Sequence, residues 1–396
     1  MTTPHRVETL IIGGGIGGLS AALALARHDR RAHVLEEAPE FKEIGYGIQL
    51  APNALAVLDQ LGVLDAVLKD GFFPQAGVMM SAVSGEPITR IDFGDGFRSR
   101  YGYPYVVTHR SDLLAALLAG CRESGLVGLE NDRHVVRVDS TDAFARVECA
   151  DGSVYEADAV IGADGMRSAA RRYTVGDLAP VCAEDVAYRG TAPTSEISED
   201  AGLDNVVWWI GPKMHLIHYP IRRGELFNQV AVFSSDHYRQ GMADHEWGTP
   251  QELEERFDGM CDYVRLGVRR VGRDRWWTLH DLDPVDNWNR NRVTLLGDAA
   301  HAMLQYLAQG AAQALEDSAC LGYCMAKQPD DVPAAFAAYQ AERLPRVTRV
   351  QTWARRMGEI VHADGAFAIV RDKLLAAGPE ADFEYIDWLY GYRTPS

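Results

Sequence analysis

The sequence predicts a mixed α/β protein: a Rossmann-type nucleotide-binding domain interrupted by an inserted antiparallel-sheet domain. Three observations carry this. Near the N-terminus, apolar residues 7–12 run into Gly13-Gly14-Gly15-Ile16-Gly17-Gly18 and then an Ala/Leu-rich stretch, which reads as strand, tight turn and helix. Residues 187–233 are rich in short apolar runs broken by Gly211-Pro212 and Arg223-Gly224, the pattern of an antiparallel sheet. Residues 293–296 then form a buried-type strand followed by long helical patterns, so the chain returns to the first architecture. The expected division is 1–75, 102–183 and 277–375 for the nucleotide domain, 76–101 and 184–276 for the inserted domain, and 376–396 as a tail.

Each element follows from local pattern. Residues 32–35 form a second short strand ending in Glu36-Glu37. Helices are expected over 53–58, with Asn53 as its cap, and over 61–68. Another starts at Ser111 or Asp112. Residues 135–160 alternate apolar and polar positions, with Asp151-Gly152 as a strand-joining turn. Within the central block, strands cover 206–210, 215–221 and 229–233. Helices are expected over 252–265, 309–324, 333–344 and 346–362, the last pair separated at Pro345.

Composition bounds the function. The chain has 396 residues, 47% hydrophobic and 24% charged, ordinary for a globular enzyme with a sizeable core. Its formal net charge of −17 excludes a nucleic-acid or anionic-membrane surface as partner. An anionic small molecule must therefore be captured by a local pocket. The six cysteines are scattered without zinc-site spacing, and we expect reduced thiols and no metal. Residues 10–26 are uncharged but glycine-rich, and read as strand and helix rather than as a leader. With no apolar stretch of about 20 residues, the expectation is a soluble, cytoplasmic protein.

The motif Gly13-x-Gly15-x-x-Gly18 points to a dinucleotide. The first glycine makes the turn, the second admits a pyrophosphate to the backbone, and the third lets helix close on strand. The helix N-terminus supplies amide donors and positive dipole. Glu36 ends the next strand, where a carboxylate accepts the ribose hydroxyls. No second such motif occurs, so no second nucleotide domain is expected. Two further motifs favour FAD: Ile161-Gly162-Ala163-Asp164-Gly165-Met166-Arg167-Ser168 leading to Arg171-Arg172, and Leu295-Leu296-Gly297-Asp298-Ala299-Ala300-His301.

These three motifs, in this order, resemble those of the class A flavoprotein aromatic hydroxylases. The resemblance implies a Rossmann-type GR2 FAD-binding domain with an inserted substrate domain, p-hydroxybenzoate hydroxylase-like. It assigns the FAD pyrophosphate and ribose to Gly13, Gly15, Gly18 and Glu36, and the ribityl chain to Gly297 and Asp298. Asp164, Gly165 and Arg171 support FAD and NAD(P)H use. The segment Thr108-His109-Arg110-Ser111-Asp112-Leu113 places Arg110 near the phosphates, and Gly45-x-Gly47-Ile48-Gln49-Leu50 places Gln49 along the flavin's path. Four segments look closest to the 3-hydroxybenzoate 6-hydroxylases: Ala187-Tyr188-Arg189-Gly190-Thr191, Ile210-Gly211-Pro212-x-x-His215, Leu304-Gln305-Tyr306-Leu307-Ala308 and Asp387-Trp388-Leu389-Tyr390-Gly391-Tyr392. The family pattern departs at Ala302, where Pro is usual, at Leu282 and at Glu37.

The implied reaction uses FAD, NADH or NADPH, and O2 to hydroxylate a small aromatic carboxylate through a flavin C4a-hydroperoxide. Conversion of 3-hydroxybenzoate to 2,5-dihydroxybenzoate leads, with salicylate and 6-hydroxynicotinate hydroxylation as alternatives. A homodimer is common in the family. From other classes, a flavin-fold binding protein without turnover competes, against which the intact FAD loop and complete Asp-Gly and Gly-Asp motifs speak, and a flavin oxidase or dehydrogenase would give no oxygenated product. For the ring itself, His215, Ile217 and Tyr219 fall on one face of a strand, successive members about 7 Å apart along the backbone. An imidazole and a phenol hydroxyl there suit a ring bearing hydroxyl and carboxylate. Gln305, shortly after the Gly-Asp turn, is the third candidate. His301 is expected to support its loop, Glu316-Asp317 to be a solvated or capping pair, and Trp208-Trp209, Trp276-Trp277 and Trp288 to be packing residues.

Overall fold

In the computed structural model, residues 3–42, 45–198, 201–243, 246–378 and 383–395 are described. Two seven-stranded sheets organise them. The first is built on the buried strand His5–Ile12, which pairs in parallel with Ala32–Leu35 on one side and Val154–Gly162 on the other. Val127–Glu130 extends it in parallel at one edge, and Val293–Leu295 joins Val154–Gly162 in parallel from much later in the sequence. The alternating residues 135–149 continue it as an antiparallel pair. The apolar runs 10–12 and 159–161 are buried because helices cover this sheet.

The helix Ile16–Ala26 is buried along nearly its whole length. Small residues permit this: Gly322 of the long helix Gly310–Lys327 lies against Ala24, and Ser20 Oγ and Ser318 Oγ sit 2.7 Å apart. The second sheet runs in the order Trp276–Asp281, Val181–Pro193, Leu226–Ser234, Met214–Ile221, Asn205–Gly211, Ala76–Ser81 and Pro87–Asp92. All its pairs are antiparallel except Asn205–Gly211 with Ala76–Ser81. The expected division between 276 and 277 falls inside its outer strand, because residues 276–278 are already hydrogen-bonded to 186–188. A two-stranded ribbon, Gly47–Leu50 with Val106–His109, pairs with neither sheet but touches the second, where the Gly47 amide donates to Asn228 Oδ1 at 2.9 Å.

Three local expectations are corrected. The helices expected on either side of Pro345 are one 30-residue helix, Val332–Val361. A proline forfeits one backbone hydrogen bond, but burial of Arg343 and Val347 holds the turn on both sides. Asn53 is not a cap: the helix Pro52–Gln60 begins after Ala51, and the Asn53 amide donates to Glu316 Oε1 at 2.7 Å. The helix expected over 252–265 divides into Pro250–Phe257, capped by Thr249, and Asp262–Val268.

Candidate active site

A cavity of about 1160 Å³ receives residues from both sheets and from the ribbon. Its lining includes one group from the turns of the first sheet and the helix after the ribbon, Gly15, Arg110, Gly165, Gly297 and Asp298, and a second group, His215 and Tyr219, from the second sheet, with Gln49 and Gln305 also on its wall.

The first group fits a flavin dinucleotide. Gly13 has φ +103°, and a Cβ there would overlap the Ala163 carbonyl; a Cβ on Gly18 would overlap the carbonyl of Gly13. The loop can pass this close only without side chains. Gly15 begins the helix with no side chain over its first amides, so these donors and the helix dipole face the cavity wall. Glu36 takes the amide of Gly14 on Oε2 at 2.7 Å and that of Ala38 on Oε1 at 2.8 Å, fixing the strand end to the loop. Gln49 Oε1 accepts from the Tyr105 hydroxyl at 2.7 Å, and Arg110 opens the helix Arg110–Ser124.

Asp164 and Arg171 work behind the wall. Asp164 accepts from Ser168 Oγ at 2.5 Å and from the Ala169 amide at 2.6 Å, so it steadies the start of the helix Ala169–Thr174, which Ser168 caps. Buried Arg171 donates to the carbonyls of Met166 and, at 3.1 Å, Ala299, tying the Asp-Gly loop to the Gly-Asp loop. Gly165 itself reaches the cavity. At the Gly-Asp turn Gly297 has φ +60°, and Asp298 is exposed on the cavity wall.

The pair Glu316-Asp317 is not solvated, which corrects the sequence expectation. Both are fully buried, because their face of helix Gly310–Lys327 packs against the helices Ile16–Ala26, Pro52–Gln60 and Val332–Val361. Arg343 meets Glu316 at 2.6 Å and Asp317 at 2.8 Å, and Arg346 also binds Glu316. Asp317 accepts the Gly297 amide at 3.1 Å and meets His301 Nε2 at 2.5 Å, so this cluster anchors the Gly-Asp turn from beneath. Burial would push the Asp317 carboxyl up, but His301 and Arg343 bring it down to about 2.

In the second sheet, the strand Met214–Ile221 presents His215, Ile217 and Tyr219 to the cavity. His218 faces away, with Nε2 2.9 Å from the Ala201 carbonyl and its ring against Phe227 and Tyr263. Burial raises the Tyr219 phenol to about 12, keeping it a hydroxyl donor at neutral pH. His215 Nδ1 lies 2.8 Å from His362 Nε2, which leaves its Nε2 for the cavity. Gln305 is brought to the same wall, where Oε1 accepts from Arg189 Nη2 at 2.7 Å.

Arg189 is the cavity residue that sequence reasoning missed. Its guanidinium is hydrogen-bonded to a neutral amide and lies over the rings of Tyr46 at 5.8 Å and Trp277 at 5.9 Å. Burial, with Arg110 nearby, lowers its proton affinity. A charge following the apolar Val186-Ala187-Tyr188 run was the available signal. Trp208 and Trp277 also line the cavity, and Trp208 meets His215 edge-on at 5.5 Å, so neither is only packing.

The sequence pattern of the FAD binding domain family matches residues 6–354. The chain belongs to this family. It is 38% identical over 393 residues to a 3-hydroxybenzoate 6-hydroxylase of Polaromonas naphthalenivorans, covering 99% of this chain and 97% of the relative. It is 36% identical over 386 residues to a 3-amino-4-hydroxybenzoate 2-monooxygenase of Streptomyces cremeus, covering 97% and 95%. Among solved structures it resembles Klebsiella pneumoniae HpxO complexed with FAD and uric acid, at TM-score 0.82 and 25% identity, over 94% of this chain and 93% of that one. The protein is an FAD-dependent aromatic monooxygenase. Among the described residues, no helix is long and apolar enough to cross a membrane and no cluster of three or more His, Cys, Asp or Glu is placed to hold a metal.

Proposed function

We propose that this enzyme hydroxylates a monohydroxybenzoate, converting 3-hydroxybenzoate to 2,5-dihydroxybenzoate with NADH or NADPH as reductant. The observation that carries the substrate class is Arg189, a half-buried guanidinium on the cavity wall whose close partners are an amide and two rings. A partly desolvated cation whose contacts are neutral favours an anionic ligand, and a benzoate carboxylate supplies that anion. Similarity to the 3-hydroxybenzoate 6-hydroxylases supports the choice of ring.

FAD, once reduced, supplies activated oxygen for transfer to the ring. The chain's own residues prepare that ring. Arg189, steadied by Gln305, holds the carboxylate, and the Tyr219 hydroxyl donates to the substrate. His215 Nε2 accepts the phenol proton, which makes the ring electron-rich at the para carbon. Trp208, Ile217 and Val230 keep water from the reacting atoms. The pyrophosphate is assigned to Gly13, Gly15, Gly18 and Arg110, the ribose to Glu36 and the ribityl chain to Asp298. Asp164 and Arg171 act by holding Gly165 and Gly297 in place, and Gln49 lies along the flavin's path.

A homodimer completes the proposal. The helix Gly365–Ala376 exposes Phe367 at 80%, Val370 at 55% and Leu374 at 70%, spaced i, i+3 and i+7 as one apolar face that suits a second copy of the chain. Sedimentation should give a dimer, and Phe367→Asp should weaken it; a monomeric wild type contradicts this part. The substrate claim is tested by NADH and NADPH oxidation across the monohydroxybenzoates and 6-hydroxynicotinate, with products identified by mass spectrometry and NMR. 2,5-Dihydroxybenzoate from 3-hydroxybenzoate is expected. Faster, tightly coupled turnover of salicylate or 6-hydroxynicotinate would replace that substrate.

A further inference from the structure

We propose that His362 and Asp185 form a proton relay behind His215, so that the phenol proton's charge settles on His362 beside Asp185. This rests on the reading of His215 as the base acting on a phenolic substrate.

The relay is assembled from distant parts of the chain. His215 lies on the strand Met214–Ile221, and His362 ends the long helix Val332–Val361. The Lys213 amide donates to the His362 carbonyl at 2.9 Å, which fixes the helix end to the start of the strand. His215 Nδ1 and His362 Nε2 are 2.8 Å apart. On its far side His362 Nδ1 lies 3.7 Å from Asp185 Oδ1 and 3.4 Å from Ser234 Oγ. Asp185 is buried, and it accepts from Ser234 Oγ at 2.6 Å and from the Tyr306 hydroxyl. The Tyr306 ring closes the group, edge-on to both imidazoles at 5.5 Å.

The carboxylate sets the direction. With Asp185 facing Nδ1 of His362, the proton belongs on that nitrogen. His362 Nε2 is then an acceptor, so His215 must donate from Nδ1. That leaves His215 Nε2 as a bare acceptor at the cavity. When the substrate O–H bond breaks, a bond forms to His215 Nε2. The His215 Nδ1–H bond breaks as a bond forms to His362 Nε2. His215 ends neutral, and the positive charge lies on His362 against Asp185.

The relay answers a physical difficulty. Burial, with His362 adding to it, drives His215 well below the usual histidine range. Burial also takes His362 down to about 4, where Asp185 raises it against Arg239, Arg256 and Arg371. A buried imidazole alone holds a proton poorly. With Asp185 beside it, His362 holds the proton less poorly than His215, so moving the charge one ring outward lowers its cost. It also leaves no net positive charge on the ring that touches substrate.

His362→Gln and Asp185→Asn test this, each keeping size while removing relay capacity. With 3-hydroxybenzoate, each should lower coupled hydroxylation about tenfold or more and raise peroxide release, below the loss of about 10²–10⁴-fold that general acid–base help can reach. FAD content and 3-hydroxybenzoate affinity should stay at wild-type values. A ring-fluorinated 3-hydroxybenzoate, whose phenol gives up its proton more readily, should restore coupling in both. A merely structural role would not respond to phenol acidity, so loss of coupling without that rescue overturns the relay. Wild-type coupling in both variants alongside an uncoupled His215→Ala also overturns it and leaves the base standing. Wild-type coupling in His215→Ala removes the base reading and the relay together.

Discussion

His215 and His218 stand three residues apart on one strand, and the pleat turns one to the cavity and the other into packing. That makes them a matched pair for testing. His215→Ala should lower hydroxylation by about 10²-fold, the low end for general acid–base help, with NADH diverted to peroxide. His218→Ala should leave coupling near wild type, although it opens a hole beside Phe227 and lowers thermal stability. The reverse result would put the register one residue off. Tyr219→Phe removes one hydroxyl contact and should weaken substrate binding or coupling. Arg189→Ala should raise KM for hydroxybenzoates by about tenfold to a hundredfold, from a charge-assisted hydrogen bond of about 1.5–3 kcal/mol. An uncharged phenol of similar size should lose far less; equal losses for both would contradict the carboxylate anchor.

At the level of elements, the nucleotide end was legible because its physics is local. Strand, turn and helix at 7–27 lie within one short stretch, and positive φ at Gly13 and Gly297 demands glycine. The face shared by His215 and Tyr219 was legible too, since a strand has period two. What escaped was long-range. Nothing near His362 in the sequence announces His215, 147 residues away, and Asp185 looks like a loop carboxylate. Glu316-Asp317 looked solvated because their neutralising partners, Arg343 and Arg346, arrive from another helix. Local rules misled at Pro345 and Asn53, where tertiary burial overrode a breaker and a capping preference. Asp298 belongs to the legible class: Asp298→Ala should lower FAD retention more than it changes coupling of the FAD that remains. Unchanged FAD content in dialysed protein would remove the ribityl assignment.

Across the whole molecule, buried neutral histidines give stability a pH dependence. Burial lowers His218 and His362 to about 4, while an unfolded histidine titrates near 6.5. Between those values the unfolded chain binds more protons, so stability rises with pH and is lost as pH falls from about 6.5 toward 4. Thermal unfolding should show a falling midpoint across that window; a flat profile contradicts neutral burial. The single nucleotide motif carries a kinetic prediction. With no second nucleotide domain expected, nicotinamide access must be coupled to aromatic binding, and 3-hydroxybenzoate should accelerate flavin reduction in stopped flow. Equal rates with and without it would remove that coupling. If one cavity serves both FAD and the ring, the yield of dihydroxybenzoate and peroxide per NADH oxidised with 3-hydroxybenzoate reads that directly. Nearly one 2,5-dihydroxybenzoate per NADH with little peroxide is expected; NADH consumed with the ring recovered unchanged would contradict ring hydroxylation at this site.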